Sequence, residues 1–162
     1  AHQILADLEQ HYDVEIITQN IDDLHERAGS RKVTHLHGII TRSQSDKKAS
    51  LTYPIEGDEI RMGELCELGS QLRPHVVWFG ESVPMIEVAA KICQRADVFL
   101  LVGTSLAVYP AAGLLGYVPH TTIKYVVDPN IPDVGRYKNV TTIAEKAGFG
   151  MQKLKEILIS NA

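Results

Sequence analysis

Four short apolar runs, Val14–Thr18, Val76–Phe79, Val98–Val102 and Ile123–Val127, constrain the fold of this chain more than any other feature. They are rich in β-branched residues and show little alternation, the pattern of strands buried on both faces. Helical candidates, Ile86–Arg95 and Ala111–Tyr117, separate the last three. A further short strand, Val140–Ile143, precedes a terminal helix that sets Ala147, Met151, Leu154 and Leu158 along one stripe. The N-terminal AHQILADLEQHYD also reads as an amphipathic helix, with Ile4, Leu5 and Leu8 at helical spacing. Strands that alternate with helices pair in parallel, so the expected class is α/β with a doubly wound, Rossmann-like sheet.

Residues 39–72 break this pattern. They are polar, carry RSQSDKK and PIEGDEIRMGE, and are too long for a plain connection. The expected organisation is a sheet domain built from residues 1–38 and 73–162 with a small inserted module at 39–72. A total of 162 residues suits one such domain. A net charge of −4 without a basic cluster argues against nucleic acid as a partner. Two cysteines, Cys66 and Cys93, make no disulfide framework and suit a reducing compartment, so a cytoplasmic location is expected. The stretch Val98–Thr122 has no formal charge and the length of a membrane span. Gly103-Thr104-Ser105 and Tyr109-Pro110 interrupt it, so strand, loop and short helix fit it better, and no membrane association is expected.

The first strand ends abruptly in Thr18-Gln19-Asn20-Ile21-Asp22-Asp23. Part of this is explicable as a helix start, because Asp23-Leu24-His25-Glu26 has the D-x-x-E shape of a capping box and Gly29 is a good stop. Capping accounts for one aspartate and leaves the Gln and Asn without a role. Polar groups at the carboxyl end of a buried strand lie where open α/β sheets bind ligands. His35-Leu36-His37-Gly38 allows two readings. If extended, the two histidines share a face and form a possible metal pair, with Cys66 as the only obvious soft third ligand. A histidine before Gly at a strand end can instead act as a general base near neutral pH.

TQNIDDLHERAG, HLHG, LRPHVVWFGE and VGTSLAVYPAAGL follow one another over Thr18–Leu114, and in this order the chain resembles the sirtuins, NAD-dependent protein-lysine deacylases, particularly bacterial-type members. The resemblance implies NAD as cofactor and acylated lysine peptides or proteins as partners. It gives Gln19 the ribose hydroxyls, Asn20 the ribose or a water, and Asp22 the nicotinamide carboxamide, with Ile21 in the same element. It makes His37 the catalytic base, assisted by Asn20 and Asp22. Gly103, Thr104 and Ser105 would meet ribose or phosphate, and Asp128, Pro129 and Asn130 the adenosine ribose, with Asp128 standing where sirtuins usually have Asn. Ala147 would lie beside adenine. An acylated peptide would pair with the VVWFGE stretch through Phe79, Gly80 and Glu81, Val77 would line the acyl tunnel, and Val108 would flank the peptide. The implied products are free lysine, nicotinamide and O-acyl-ADP-ribose.

Two departures from the family pattern carry expectations of their own. Sirtuins typically have two C-x-x-C pairs in the inserted region, whereas here Leu65 and Leu68 stand at two of those positions and Cys66 is out of register. No zinc is expected, and the leucines suggest a small hydrophobic plug in a mobile module. No Gly-rich turn for a pyrophosphate precedes Val14, so the NAD affinity of these residues alone is expected to be weak. The alternatives to a deacylase are a catalytically inactive fragment or binding module for acyl-peptide or ADP-ribose, and a metal hydrolase built on His35 and His37.

Overall fold

The computed structural model describes residues 1–160. Two groups of strands run parallel. β1 (Ile16–Thr18) pairs with β2 (Val33–His35), and β6 (Val98–Val102), β7 (Ile123–Val127) and β8 (Val140–Ile143) form a three-stranded sheet in that order. α1 (His2–Leu8), α2 (Leu24–Arg27), α3 (Ile86–Gln94), a 3₁₀ helix (Ala111–Tyr117) and α4 (Ala147–Ser160) connect and cover them. The α/β class and its parallel pairing follow the sequence expectation. One difference is that β6, an edge strand of its sheet, is only half-buried along its length. Full burial belongs to the middle strand β7, which carries Val126 and Val127.

Two apolar clusters fill the space around these strands. Leu36, Ala89, Cys93, Leu114, Leu115 and Val126 form one, with Ile17 of β1 and Leu101 of β6 packed against it. Leu8, Val127, Met151, Leu154 and Leu158 form the other, so the stripe on α4 seats on β7 as its spacing implies. Gly150 makes that seating possible, because a Cβ there would stand 2.4 Å from Val127 Cγ1. Tyr12 ties the turn after α1 to α4 by donating its hydroxyl to the Leu158 carbonyl at 2.6 Å. Within the otherwise apolar β7, Lys124 is fully buried. Its Nζ donates to the carbonyls of Pro119 and Thr122 at 2.8 Å, and burial lowers its pKa. Three donors on an ammonium make such burial tolerable only where carbonyls converge.

β3 (Gly38–Ser45), β4 (Thr52–Pro54) and β5 (Leu72–Val76) form a separate antiparallel sheet in the order β4-β3-β5. Two expectations fail here. Val76–Phe79 is not a buried strand. The sheet runs through Leu72–Val76, and the chain then turns out so that Trp78 and Phe79 are 55% and 101% exposed. An apolar run looks the same to periodicity whether it is buried or displayed. The leucine plug is also absent, since Leu65 and Leu68 are more than half exposed. The turn that carries them is closed by Cys66 N–H on Ser70 O and Gly69 N–H on Cys66 O, and it is Cys66 that points inward. Its Sγ lies 3.2 Å from Ser45 Oγ, and the hydroxyl, able to donate to the thiolate, lowers the thiol pKa.

Candidate active site

The polar residues after β1 and the histidines at and just beyond the end of β2 meet because those strands are parallel neighbours, with Thr18 opposite His35. Thr18 caps its own strand end, since its Oγ1 accepts the Asn20 N–H at 3.1 Å. Asp22 Oδ1 accepts the Leu24 N–H at 3.1 Å and so starts α2. Asp23 occupies the N-cap position without a side-chain cap bond, so the capping box expected from D-x-x-E does not form. The aspartate one residue earlier does the work, and Gly29 closes the helix with φ +102°.

The two histidines then hold two consecutive peptide units of this segment. His37 Nδ1 lies 3.0 Å from the Gln19 carbonyl, and His35 Nδ1 lies 3.2 Å from the Asn20 carbonyl. A carbonyl only accepts, so the His37 proton sits on Nδ1 and Nε2 keeps its lone pair. His37 therefore has the tautomer a general base needs, fixed by the residue before Asn20. His35 differs, because its Nε2 is also engaged, with Glu26 Oε1 at 2.7 Å. With both ring nitrogens against acceptors, His35 is a brace rather than a ligand, which removes the basis for the histidine metal pair.

Gly38 turns the chain directly after His37. Its φ of +80° and the 2.0 Å that would separate a Cβ from the His75 carbonyl oxygen leave room for no other residue. This close approach starts β3 against β5, with Gly38 opposite Val76. The His37 carbonyl then accepts the Val77 N–H at 2.9 Å. The histidine is thus bonded on one side to Gln19 and on the other to the first residue beyond β5. Ile40 N–H, on the Ile21 carbonyl at 2.7 Å, adds a second tie between the two sheets.

The predicted cofactor residues that remain lie at or just beyond the carboxyl ends of the second parallel group, and the predicted peptide residues lie elsewhere. Gly103 follows β6 and donates its N–H to Val127 O at 3.0 Å, and Thr104 Oγ1 accepts the Leu106 N–H at 3.3 Å in the loop that also holds Ser105. Asp128 follows β7, and its Oδ1 accepts the Asn130 N–H at 2.8 Å across Pro129. Ala147 opens α4, four residues beyond the end of β8. Val77, Phe79, Gly80 and Glu81 form the outward turn after β5, where Phe79 is exposed and Val77 half-buried. Val108 lies in the exposed stretch before the 3₁₀ helix. Glu81 is committed within the protein, with one carboxylate oxygen on Arg73 and the other on the Trp78 N–H. Sequence reasoning missed Arg73, the brace at His35 and the tight contact at Gly38. Only the glycine carried a signal, a residue of that kind directly after a candidate base. Among the described residues, no three His, Cys, Asp or Glu side chains gather as a metal site would require.

A family model for the Sir2 family matches residues 1–110. An NAD-dependent protein deacylase of Bacteroides thetaiotaomicron is 44% identical over 98% of this chain and 70% of its own length. A crystal structure of a Sir2 homologue–NAD complex superposes with a TM-score of 0.86 at 34% identity, over 99% of this chain and 64% of that one. The structure of Sir2Tm bound to a propionylated peptide gives 0.77 at 29% identity, over 98% of this chain and 70% of that one. The chain thus spans between 64% and 70% of the length of these proteins. A family-model match over most of its residues, together with 44% identity to a relative of which it covers 70%, places this chain in the Sir2 family.

Proposed function

We propose that this chain carries the catalytic half-site for NAD-dependent removal of acyl groups from protein lysines. The observation that carries the reading is the bonded series Gln19 carbonyl, His37 imidazole, His37 carbonyl, Val77 amide. It joins a polar strand end, a base of fixed tautomer and an exposed edge in one rigid unit.

In this reading Gln19, Asn20, Ile21 and Asp22 line the nicotinamide and its ribose, which need short polar groups on a rigid strand end. Gly103, Thr104 and Ser105 take ribose or phosphate, Asp128, Pro129 and Asn130 the adenosine ribose, and Ala147 the face beside adenine. The residues present fit the cofactor at these points, since strand-end hydroxyl and carboxylate groups suit sugar hydroxyls. NAD supplies, when bound, the ribose carbon that accepts the acyl oxygen as nicotinamide departs. His37, through Nε2, takes the proton of a ribose hydroxyl, directly or by relay, while Nδ1–H stays on Gln19. Asn20 and Asp22 orient what the base acts upon. The peptide adds as a strand along Val77–Gly80, with Phe79 and Val108 on either side, and Glu81 holds the turn.

Residues 1–38 and 73–162 form the cofactor-binding domain in this proposal, and residues 39–72 the inserted module. Two buried free thiols, Cys66 and Cys93, fit a reducing cytoplasmic setting. No described helix is long and apolar enough to cross a membrane.

The test is to incubate the full-length protein with an acyl-lysine peptide and NAD and to follow the products. Free lysine, nicotinamide and O-acyl-ADP-ribose in equal amounts are expected. Acyl loss without NAD consumption would make the protein an ordinary hydrolase. Peptide or ADP-ribose binding without turnover would make it a binding module.

A further inference from the structure

The turn that follows β5 displays its apolar side chains instead of burying them. Trp78 and Phe79 are exposed, and Gly80 adopts φ +92° with open space around it. Core packing therefore does not fix its shape. Polar contacts from β5 itself do. Arg73, in β5 opposite Gln44 of β3, points its guanidinium at the turn. Its Nη1 donates to the Val76 carbonyl at 3.0 Å and its Nη2 to Glu81 Oε1 at 3.0 Å. Glu81 Oε2 accepts the Trp78 N–H at 3.0 Å, and the Glu81 N–H donates to the Trp78 carbonyl at 3.0 Å. On its other side Arg73 Nε lies 3.8 Å from Asp46, the residue after β3. The Arg73 side chain is only 24% exposed while Glu81 is 41% exposed, so the hold comes from the two-pronged geometry of the fork rather than from burial of the ion pair.

We propose that Arg73 is a positioning residue for the acyl-peptide. Its fork on Val76 and Glu81 holds Trp78–Gly80 in the shape along which a peptide strand can pair, and through Asp46 it makes that shape depend on the antiparallel module. Arg73 itself need not touch the peptide. The inference rests on the deacylase reading above, and the two can fail separately.

Two measurements on the full-length protein decide it, with Arg73→Ala, Arg73→Lys and Glu81→Gln as variants. In Arg73→Ala, hydrogen exchange of the amides at 78–82 should quicken while those of β6 and β7 stay as in the parent. Unchanged exchange there overturns the clamp whether or not the protein is active. In turnover, Arg73→Ala should raise the KM for acyl-peptide about tenfold, the size expected for losing one charge-assisted hydrogen bond. The kcat and the KM for NAD should stay within about twofold. Arg73→Lys keeps the charge but not the fork and should recover part of the loss. Should Arg73→Ala fail to fold, Glu81→Gln, which keeps an acceptor for Trp78 and loses the ion pair, should show the same selective rise in peptide KM. Equal changes in kcat, peptide KM and NAD KM, or a normal peptide KM, would overturn the proposal. Absence of NAD-dependent turnover in the parent protein would instead sink the deacylase reading, and the exchange result would still decide the clamp.

Discussion

The parallel strands β6, β7 and β8 and the antiparallel strands β3, β4 and β5 each make a three-stranded sheet, yet they are filled by different chemistry. Around β7, Lys124 apart, the fully buried side chains include Val126, Val127, Met151 and Leu154, each contributing on the order of 1.5–3 kcal/mol by leaving water. In the antiparallel sheet the buried side chains are Ser43, Gln44, Ser45 and Cys66, and directional bonds join them, including Gln44 to His75 at 2.7 Å. Apolar burial tolerates exchange of one side chain for another of similar volume. A hydrogen-bonded interior does not, because each lost partner leaves a desolvated group behind. The first region can therefore serve as a scaffold, while the second transmits position, and the catalytic candidate His37 sits on the seam between them.

The seam offers the largest effect. His37→Ala should lower deacylation by about a hundredfold to ten-thousandfold, the usual cost of losing a general base, while the protein still folds. Near-normal turnover by the folded variant would mean that the seam only joins the two sheets. In the apolar region, Leu154→Ala should cost about 2–5 kcal/mol in denaturant unfolding, because Leu154 is fully buried between α4 and β7. A loss below about 1 kcal/mol would contradict the contrast drawn here, since a large-to-small change in a tight core costs more than that.

The polar region should answer to a smaller atom. Ser45 Oγ accepts the Lys47 and Lys48 amides at 3.3 Å and is hydrogen-bonded to Cys66 Sγ at 3.2 Å. Ser45→Ala should cost about 1–3 kcal/mol, and hydrogen exchange should quicken in residues 43–48 but not in β7. Loss spread evenly over both sheets would show them to be one cooperative interior. Zinc gives a sharper version of the same test. With Cys66 bonded to Ser45 and Leu65 and Leu68 turned to solvent, elemental analysis should find no stoichiometric zinc, and a chelator should leave the midpoint unchanged. One tightly held zinc per chain would overturn the account of how the antiparallel sheet is held.

The smallest effect is on pH, and it touches both regions. Burial lowers the pKa of His25 beside α1 and of His75 in β5, where the nearby Arg42 and Arg73 charges add to the shift. The folded protein then binds these protons less readily than the unfolded chain. Their contribution is fully present above the ordinary histidine pKa of about 6.5 and is lost as pH falls through the lower folded values. Stability should decline on the acid side of about pH 6.5, and His25→Asn and His75→Asn should each flatten that decline. A profile unchanged by either substitution would remove burial of the imidazoles as its cause.

The sequence alone determined the α/β class, the parallel pairing of β6, β7 and β8, the apolar stripe of α4 and the order of motifs that identifies the family. These are legible because they follow from local spacing: a strand buried on both faces and a stripe at helical period can each be recognised within a few residues. His37 was legible as a candidate because a histidine followed by Gly at a strand end is a local signal too. Tertiary structure decided that His35 has both ring nitrogens engaged and His37 only Nδ1, since that depends on the Gln19 and Asn20 carbonyls and on Glu26, which the fold brings alongside. It also decided that Trp78 and Phe79 are displayed and that Cys66 rather than Leu65 or Leu68 faces inward. Lys124, in an apolar run, is buried only because the turn at residues 119–122 and the segment at Lys138 bring their carbonyls to it. Arg73 gave no sign of its fork on Val76 and Glu81. Exposure and hydrogen-bond partnership depend on what the rest of the chain brings alongside, and residue type and spacing do not record it.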